Sequence, residues 1–177
     1  MYWLNEPPSW RADGNTISAQ AGQKTDFWRK THDGGQRDSG HFYYEMVRGD
    51  FTAQAKVIGQ YGALYDQAGL MVRLDETTWL KCGIEFVKGV QYASSVITHG
   101  WSDWAILPLD NPEAIWLRVV RHGGTIEVYF SLDGAAYSLI RQGYLTEEAK
   151  VYVGLMICAP TGQGFAARFE DFGITPA

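Results

Sequence analysis

The chain has 177 residues, of which 46% are hydrophobic and 20% are charged. This length fits one domain, and the composition excludes disordered and collagen-like chains. The formal net charge of −5 excludes the basic field that nucleic acids and anionic membranes require, so we expect neither as a partner.

Targeting segments, membrane spans and metal sites are not expected either. The N-terminus lacks the cationic start and apolar run of a signal peptide. The most apolar stretch, Val151 to Pro160, is too short to cross a bilayer, which needs about twenty residues. Cys82 and Cys158 lie far apart, outside any Cys-x-x-Cys pair, and are predicted to be buried free thiols. We therefore expect a cytoplasmic protein without cofactor or metal, with a single domain over residues 1–177.

The first half of the chain is dominated by alternation of apolar and polar residues, which is typical of half-buried β-strands. No long stretch keeps the spacing of an amphipathic helix. The predicted strands are Phe42–Met46, Phe51–Val57, Ala68–Leu74, Trp79–Val87 and Ser94–Thr98. Each presents one apolar face to a core.

The segment from Trp116 to Arg141 is predicted to be a three-stranded meander. Two turn pairs interrupt it, Gly123-Gly124 and Asp133-Gly134. Such pairs favour two-residue hairpin turns. The first turn predicts Val119 opposite Val128, and the second predicts Val128 opposite Leu139.

Two further strands, Val151–Cys158 and Phe165–Phe172, bring the prediction to about ten. So many strands in one chain of this size indicate two packed sheets. Three stretches lack alternation, Gly22–Gly40, Gly59–Asp66 and His99–Ala114. Because long irregular connections are uncommon in compact domains, we expect these to be functional or mobile loops.

Six strings carry a resemblance to a known family: Thr25-Asp-Phe-Trp28, Tyr65-Asp-Gln-Ala-Gly-Leu-Met-Val-Arg73, Trp79-Leu-Lys-Cys-Gly-Ile-Glu85, Ser102-Asp-Trp104, Trp116-Leu-Arg-Val-Val-Arg121 and Ser131-Leu-Asp-Gly134. They resemble a concanavalin A-like family of unknown function that includes the fungal "regulation of enolase" proteins. The resemblance runs from about Trp10 to Ile174. It implies an all-β, two-sheet antiparallel jelly-roll sandwich of the lectin/glucanase type, and it implies little about activity.

In a jelly roll the outer face of one sheet forms a groove, which is built from the polar half of each alternation. If Leu70 and Cys82 both point inward, a register that places Gln67 opposite Glu85 on the neighbouring strand is permitted. The same register places Met71 opposite Lys81. Lys81 and Glu85 then share one strand face as neighbours in the groove.

The predicted groove combines hydrogen-bonding side chains with aromatic rings from loops. The ligand-binding candidates are Trp28, Tyr65, Asp66, Gln67, Arg73, Lys81, Glu85, Trp104, Arg118, Glu127 and Tyr129. Their polar groups would bind sugar hydroxyls, and Trp28 and Trp104 would form aromatic walls. The alternative is an ordinary solvated face with cross-strand ion pairs, with the two tryptophans covering the end of the sandwich. If the groove binds a sugar, replacing Lys81 and Glu85 by alanine is predicted to abolish ligand binding and to change the free energy of unfolding by no more than about 1 kcal/mol, because exposed polar substitutions rarely cost more.

Three functions follow from these candidates. The first is a carbohydrate-binding, lectin-like domain, in which Lys81 and Arg118 would suit an acidic or phosphorylated sugar. The second is a protein-interaction module that regulates metabolism through the same face. The third is a glycoside hydrolase or lyase with Glu85 and Glu127 as catalytic candidates, since such enzymes use two carboxyl groups. A binding protein is favoured over an enzyme, because the Glu-x-Asp-x-x-Glu strand of the glucanase branch is missing after Glu85.

Overall fold

The computed structural model describes all residues from 1 to 177, and it contains sixteen β-strands. The strands are β1 Tyr2–Leu4, β2 Ser9–Asp13, β3 Thr16–Gln20, β4 Phe27–Arg29, β5 Gln36–Asp38, β6 His41–Arg48, β7 Phe51–Gly59, β8 Gln67–Arg73, β9 Thr78–Val87, β10 Val90–His99, β11 Ser102–Pro108, β12 Ile115–His122, β13 Thr125–Ser131, β14 Ser138–Tyr144, β15 Lys150–Cys158 and β16 Ala166–Pro176. The chain contains no helix of the length and apolarity that a membrane span requires.

Fourteen of these strands form two seven-stranded antiparallel sheets. The first sheet has the order β1-β6-β15-β8-β9-β10-β11, and the second has the order β14-β13-β12-β7-β16-β3-β2. The short strands β4 and β5 pair only with each other, as a hairpin. The prediction of an all-β, two-sheet sandwich is confirmed.

The core lies between the two sheets and contains 28 buried residues. The inward half of each alternation supplies it: Leu70 and Ile84 come from the first sheet, and Val57, Leu117 and Phe169 come from the second. Full burial of one such side chain stabilises the fold by about 1.5–3 kcal/mol. Both cysteines are free and buried, as predicted.

Strands were missed in two of the predicted loops. The stretch Gly22–Gly40 contains β4 and β5, and the stretch His99–Ala114 contains β11. Strands β4 and β5 have three residues each, too few to show a period of two. In β11 both faces carry exposed apolar residues, because this strand lies at a sheet edge, so alternation is absent there too.

The meander is confirmed, but one of its two registers was predicted wrongly. Val119 lies opposite Val128 as expected. In the next pair, Val128 lies opposite Arg141 instead of Leu139, and the register shifts between Val128 and Tyr129. There are two causes. The carboxylate of Asp133 accepts the N–H groups of Ala135 and Ala136 and holds a longer turn than two residues, which displaces Phe130 by one residue to Ser138. The bulge between Val128 and Tyr129 adds the second residue.

The Gly22–Gly40 segment folds back over the outer face of the first sheet. A second buried apolar cluster forms there, made of Phe27, Phe42, Met71, Trp79, Val96, Met156 and Cys158. The hairpin is attached to the beginning of β11, where Ser102 Oγ accepts the N–H of Arg29 at 2.9 Å. This outer face is therefore covered over much of its area.

Candidate functional site

The central strands of the first sheet bring the predicted polar residues together. Gln67 lies opposite Glu85, and Met71 lies opposite Lys81, as predicted. On the other side of β9, Ser94 lies opposite Gly83. Side chains of Gln67, Lys81, Glu85 and Ser94 thus surround one position on the outer face, and we call this group the Glu85 pocket.

Two glycines form the floor of the Glu85 pocket. Gly69 and Gly83 face each other on β8 and β9. A Cβ atom on Gly83 would lie 2.1 Å from the carbonyl oxygen of Ala68, and one on Gly69 would lie 1.8 Å from that of Cys82. No side chain fits there, and a cavity of about 10 Å³ remains above the floor. That volume corresponds to about one water molecule.

Glu85 is the acidic group of the pocket, and only 7% of its surface is exposed. Its Oε2 atom accepts the hydroxyl of Ser94 at 2.7 Å and the indole N–H of Trp104 at 2.8 Å. Burial raises the pKa of Glu85, and the charge of Lys81 and the two hydrogen bonds offset part of this rise. Because both bonds converge on Oε2, the Oε1 atom is left as a free acceptor.

Lys81 is the cationic group, and it connects the sheet to the hairpin. Its ammonium donates to Asp26 Oδ1 at 3.1 Å and to the carbonyl oxygen of Phe27 at 2.6 Å. Burial alone would lower the pKa of Lys81, but the attraction of Asp26, Cys158 and Glu85 outweighs it and the pKa is raised. Lys81 is therefore a charged, paired group at neutral pH.

Two aromatic rings cover the pocket. Tyr65 and Trp104 make an edge-on contact with ring centroids 6.2 Å apart. Tyr65 has a φ of 68°, a left-handed conformation that is rare for an aromatic residue and costs about 1–3 kcal/mol. Its N–H donates to the carbonyl oxygen of Phe86 at 2.7 Å, which holds this conformation. Trp104 is 38% exposed, so the cover is open to solvent on one side.

Three other candidates are near this face but have structural partners. Arg73 forms a bidentate ion pair with Asp38 at 2.5 and 2.9 Å. The indole N–H of Trp28 donates to the carbonyl oxygen of Thr31 within the hairpin. Asp66 is 1% exposed, and it accepts N–H groups that shape the Gly59–Asp66 loop. Each of these side chains has a partner within the fold, although Asp66 Oδ1 is buried without one, and their assignment as ligand contacts stays a prediction.

Arg118, Glu127 and Tyr129 were assigned wrongly to the same groove. They lie on β12 and β13, in the second sheet. There the Tyr129 hydroxyl donates to Glu127 at 2.8 Å, and the Arg118 guanidinium stacks on Tyr137 at 3.9 Å. The alternation shows that these side chains face outward, but it does not show on which sheet. Glu85 and Glu127 therefore cannot act as a carboxylate pair, and Lys81 and Arg118 cannot share one anionic sugar.

The expectation of a mild cost for replacing Lys81 and Glu85 is also wrong, because both side chains are buried under the hairpin and the two aromatic rings. Sequence reasoning missed two members of the site. Asp26 and Ser94 are absent from the predicted ligand-binding residues. The Thr25-Asp-Phe-Trp28 string that supports the family resemblance was the available signal for Asp26.

A larger and more open groove of about 510 Å³ lies on the second sheet, across β2, β3 and β16. Its charged residues are Arg11 and Arg168, which are paired with Asp13 and Glu170. Both arginines are more than half exposed, so their interactions are weakened by solvent. The Glu85 pocket is the better candidate, because its charges are desolvated and converge. No group of three or more acidic, histidine or cysteine side chains is arranged to hold a metal ion.

Residues 3–177 match the family described as "Protein of unknown function (DUF1349)". The chain belongs to that family. A relative from Saccharomyces cerevisiae, "Regulation of enolase protein 1", is 40% identical over 174 residues, which cover 98% of this chain and 88% of the relative. The predicted resemblance is confirmed.

Two solved structures place the fold. The crystal structure of a functionally unknown protein from Saccharomyces cerevisiae matches with a TM-score of 0.96 and 39% identity, over 99% of this chain and 96% of that chain. The carbohydrate binding module CBM66 from Bacillus subtilis matches with a TM-score of 0.62 and 13% identity, over 97% of this chain and 94% of the module. The second similarity is one of fold alone.

Proposed function

We propose that this protein binds a saccharide, in the manner of a lectin, at the Glu85 pocket. The observation that carries the proposal is the buried carboxylate of Glu85, which keeps one oxygen free beneath two aromatic rings. Burying a charged group is costly unless it finds partners. A sugar hydroxyl is a suitable partner, because it donates to a carboxylate and accepts from an amide or hydroxyl.

The residues around Glu85 suit the rest of a sugar ring. The side chains of Gln67 and Ser94 supply further hydrogen-bonding groups, and the rings of Tyr65 and Trp104 suit its C–H face. The cavity above the glycine floor has a volume of about 10 Å³ and is too small for a sugar ring. Because the indole of Trp104 donates to Glu85, a sugar that binds Glu85 would have to move this ring aside. The work of displacing this ring lowers the apparent affinity, because only the open fraction of the protein binds.

The charges of the pocket favour a neutral saccharide. Lys81 is already paired with Asp26, so the pocket offers no free cation to an anionic sugar. A uronic or phosphorylated sugar would have to bring its charge beside the acidic groups of Asp26 and Glu85 without a partner for that charge. The similarity of the fold to a carbohydrate binding module supports the proposal at the level of architecture.

Thermal melting against neutral, uronic and phosphorylated saccharides tests this function. A ligand at 100 times its dissociation constant adds about 2.7 kcal/mol to the free energy of unfolding, which raises the melting temperature by roughly 5–10 °C. We expect such a shift with a neutral sugar in the wild type and in Glu127→Gln, a control on the second sheet. We expect its loss in Glu85→Gln. No shift across the panel, or an unchanged shift in Glu85→Gln, would contradict the proposal.

A second candidate function is regulation of an enolase by direct contact, and the name of the 40% identical relative favours it. Calorimetric titration of purified enolase into this protein, together with enolase kinetics, tests it. Heat of binding and a changed kcat/KM are expected if the function is shared. Absence of both would reject it. Either function is proposed for the cytoplasm, which suits two free cysteines.

A further inference from the structure

Strand β11 is the last strand of the first sheet, and its outer edge has no strand beside it. At the two ends of its pairing with β10, Trp101 O accepts from His99, and Leu109 N–H donates to Gln91. Hydrogen-bonded positions alternate along an antiparallel pair. The main-chain groups of the odd-numbered residues of β11 therefore face β10, and those of Trp104, Ile106 and Pro108 face outward.

The hairpin already occupies the beginning of this edge. Thr31 Oγ1 donates to the carbonyl oxygen of Ser102 at 2.6 Å. The edge that remains free runs from Trp104 to Pro108. Its outward groups are the N–H and C=O of Trp104 and of Ile106, and the C=O of Pro108, which has no N–H.

This free stretch has only one of the features that usually protect an edge strand, the proline at its end. Such strands are kept from pairing by charges, prolines, bulges or very short length. Strand β1 has three residues, and β2 carries Arg11 and Asp13. Strand β14 carries Arg141 beside a register shift. The stretch Trp104–Pro108 has no charge, and its large side chains are exposed, with Ile106 at 38% and Leu107 at 46%.

We propose that Trp104–Pro108 pairs antiparallel with the same stretch of a second copy of this chain, about a two-fold axis at Ile106. In this register, Ile106 of each copy lies opposite Ile106 of the other, and the two exchange two main-chain hydrogen bonds. The N–H of each Trp104 donates to the C=O of the opposite Pro108, which adds two more. Two seven-stranded sheets thereby join into one continuous sheet.

The second copy is favoured over another partner because the stretch is complementary to itself. Pro108 lacks an N–H, and it falls opposite Trp104, whose N–H needs only an acceptor. The side chains that meet are apolar, with Ile106 on Ile106 and Ala105 on Leu107. The nearest charge, Asp103, lies outside the paired stretch and is bound by Arg141 at 2.8 Å. Self-complementarity of this kind is the requirement for a two-fold interface.

The interface is small, so association depends on concentration. Standard interfaces use about 20–30 residues on each side, and this one pairs only five from each copy. Dimer formation would also affect the Glu85 pocket. The indole N–H of Trp104 donates to Glu85, and in the dimer the same residue would contact Pro108 of the second copy. Pairing therefore restrains the ring that covers the pocket.

Sedimentation of the full chain from about 1 μM to about 500 μM tests the proposal, since that range spans weak dissociation constants. We expect the wild-type mass to double with concentration. In Ile106→Lys and in Ile106→Glu, two like charges meet at the axis, and each variant is expected to remain monomeric. An equimolar mixture of the two variants is expected to dimerise, because opposite charges then face each other.

Leu139→Lys is the matched control, because Leu139 is half exposed on β14, the edge strand of the second sheet. This variant is expected to associate like the wild type. Unchanged thermal midpoints verify that each variant is folded. A wild type that stays monomeric, an Ile106→Lys variant that still dimerises, a mixture that stays monomeric, or a Leu139→Lys variant that loses association would each overturn the proposal.

Discussion

The outer faces of the two sheets have the same alternation of polar residues and opposite environments. On the first sheet, Lys81 and Glu85 are 4% and 7% exposed. On the second sheet, the ion pair of Lys56 and Glu170 keeps about a quarter of each side chain exposed. The difference comes from the Gly22–Gly40 segment, which covers one face and leaves the other to solvent. The same pattern of polar residues therefore gives desolvated ion pairs on the first sheet and partly solvated ion pairs on the second.

The largest expected effect comes from removing a buried cation. Lys81→Met leaves Asp26 uncompensated beneath the hairpin, and we expect a loss of about 3–5 kcal/mol in the free energy of unfolding. Lys56→Met breaks the half-buried pair on the second sheet, and we expect a loss of no more than about 1 kcal/mol, because Arg168 remains beside Glu170 at 2.9 Å. Urea unfolding of both variants measures the contrast. Equal losses would show that the two faces do not differ.

The pocket floor predicts the next largest effect. Gly83→Ala forces a Cβ against the carbonyl oxygen of Ala68, and overpacking of this kind costs about 1–3 kcal/mol. Gly62→Ala is the control, because no atom lies within 4 Å of its Cβ position and its φ is not positive. Thermal unfolding of the two variants compares them. A stable Gly83→Ala protein would mean that the two strands separate easily at the floor.

The ion pair at the hairpin end predicts a smaller loss. Asp38→Asn removes the charge that binds Arg73 through two hydrogen bonds, and we expect a loss of about 1–2 kcal/mol, since Asp38 is one-third exposed. Asp13→Asn breaks the ion pair of Arg11 and Asp13 on the second sheet and is expected to lose less, because both of these side chains are more than two-thirds exposed. Chemical denaturation of the two variants at low and high salt separates them, since only the solvated pair of Arg11 and Asp13 is strongly screened.

The smallest effect is a dependence on pH that has opposite signs on the two faces. The pKa of Glu85 is raised by burial, so the folded protein retains this proton at a pH where the unfolded chain has lost it. Stability therefore falls as pH rises from about 4.3, the unfolded value, through the folded pKa. Hydrogen bonds from Tyr129 and Gln142 lower the pKa of Glu127, so its contribution is lost as pH falls.

Unfolding free energies from about pH 3 to about pH 8 check both signs. The difference between Glu85→Gln and the wild type should grow in favour of the variant as pH rises. The difference between Glu127→Gln and the wild type should vanish as pH falls. Parallel curves for Glu85→Gln and the wild type would mean that the carboxylate is not desolvated.

The sequence predicts the strands and the face of each residue well, because burial repeats with the period of a strand. That parity permits the observed register of Gln67 with Glu85 and excludes a shift by one residue. Parity does not assign a strand to a sheet, and for this reason Arg118 and Glu127 were placed in the wrong groove. Parity also does not reveal that the Gly22–Gly40 segment covers the outer face of the first sheet. That covering depends on the packing of Phe27 against Trp79, which is distant in sequence.

The hairpin also has a consequence for the order in which the molecule assembles. Its contacts are with Lys81, Ser102 and Ala159, all distant in sequence. Closing such long loops is slow, and the surface that receives the hairpin exists only after β8, β9 and β15 have come together. We expect the hairpin to dock late in folding and to detach first, as a local opening whose free energy is smaller than that of the whole domain. Hydrogen exchange would then report the hairpin and the sandwich as separate cooperative units.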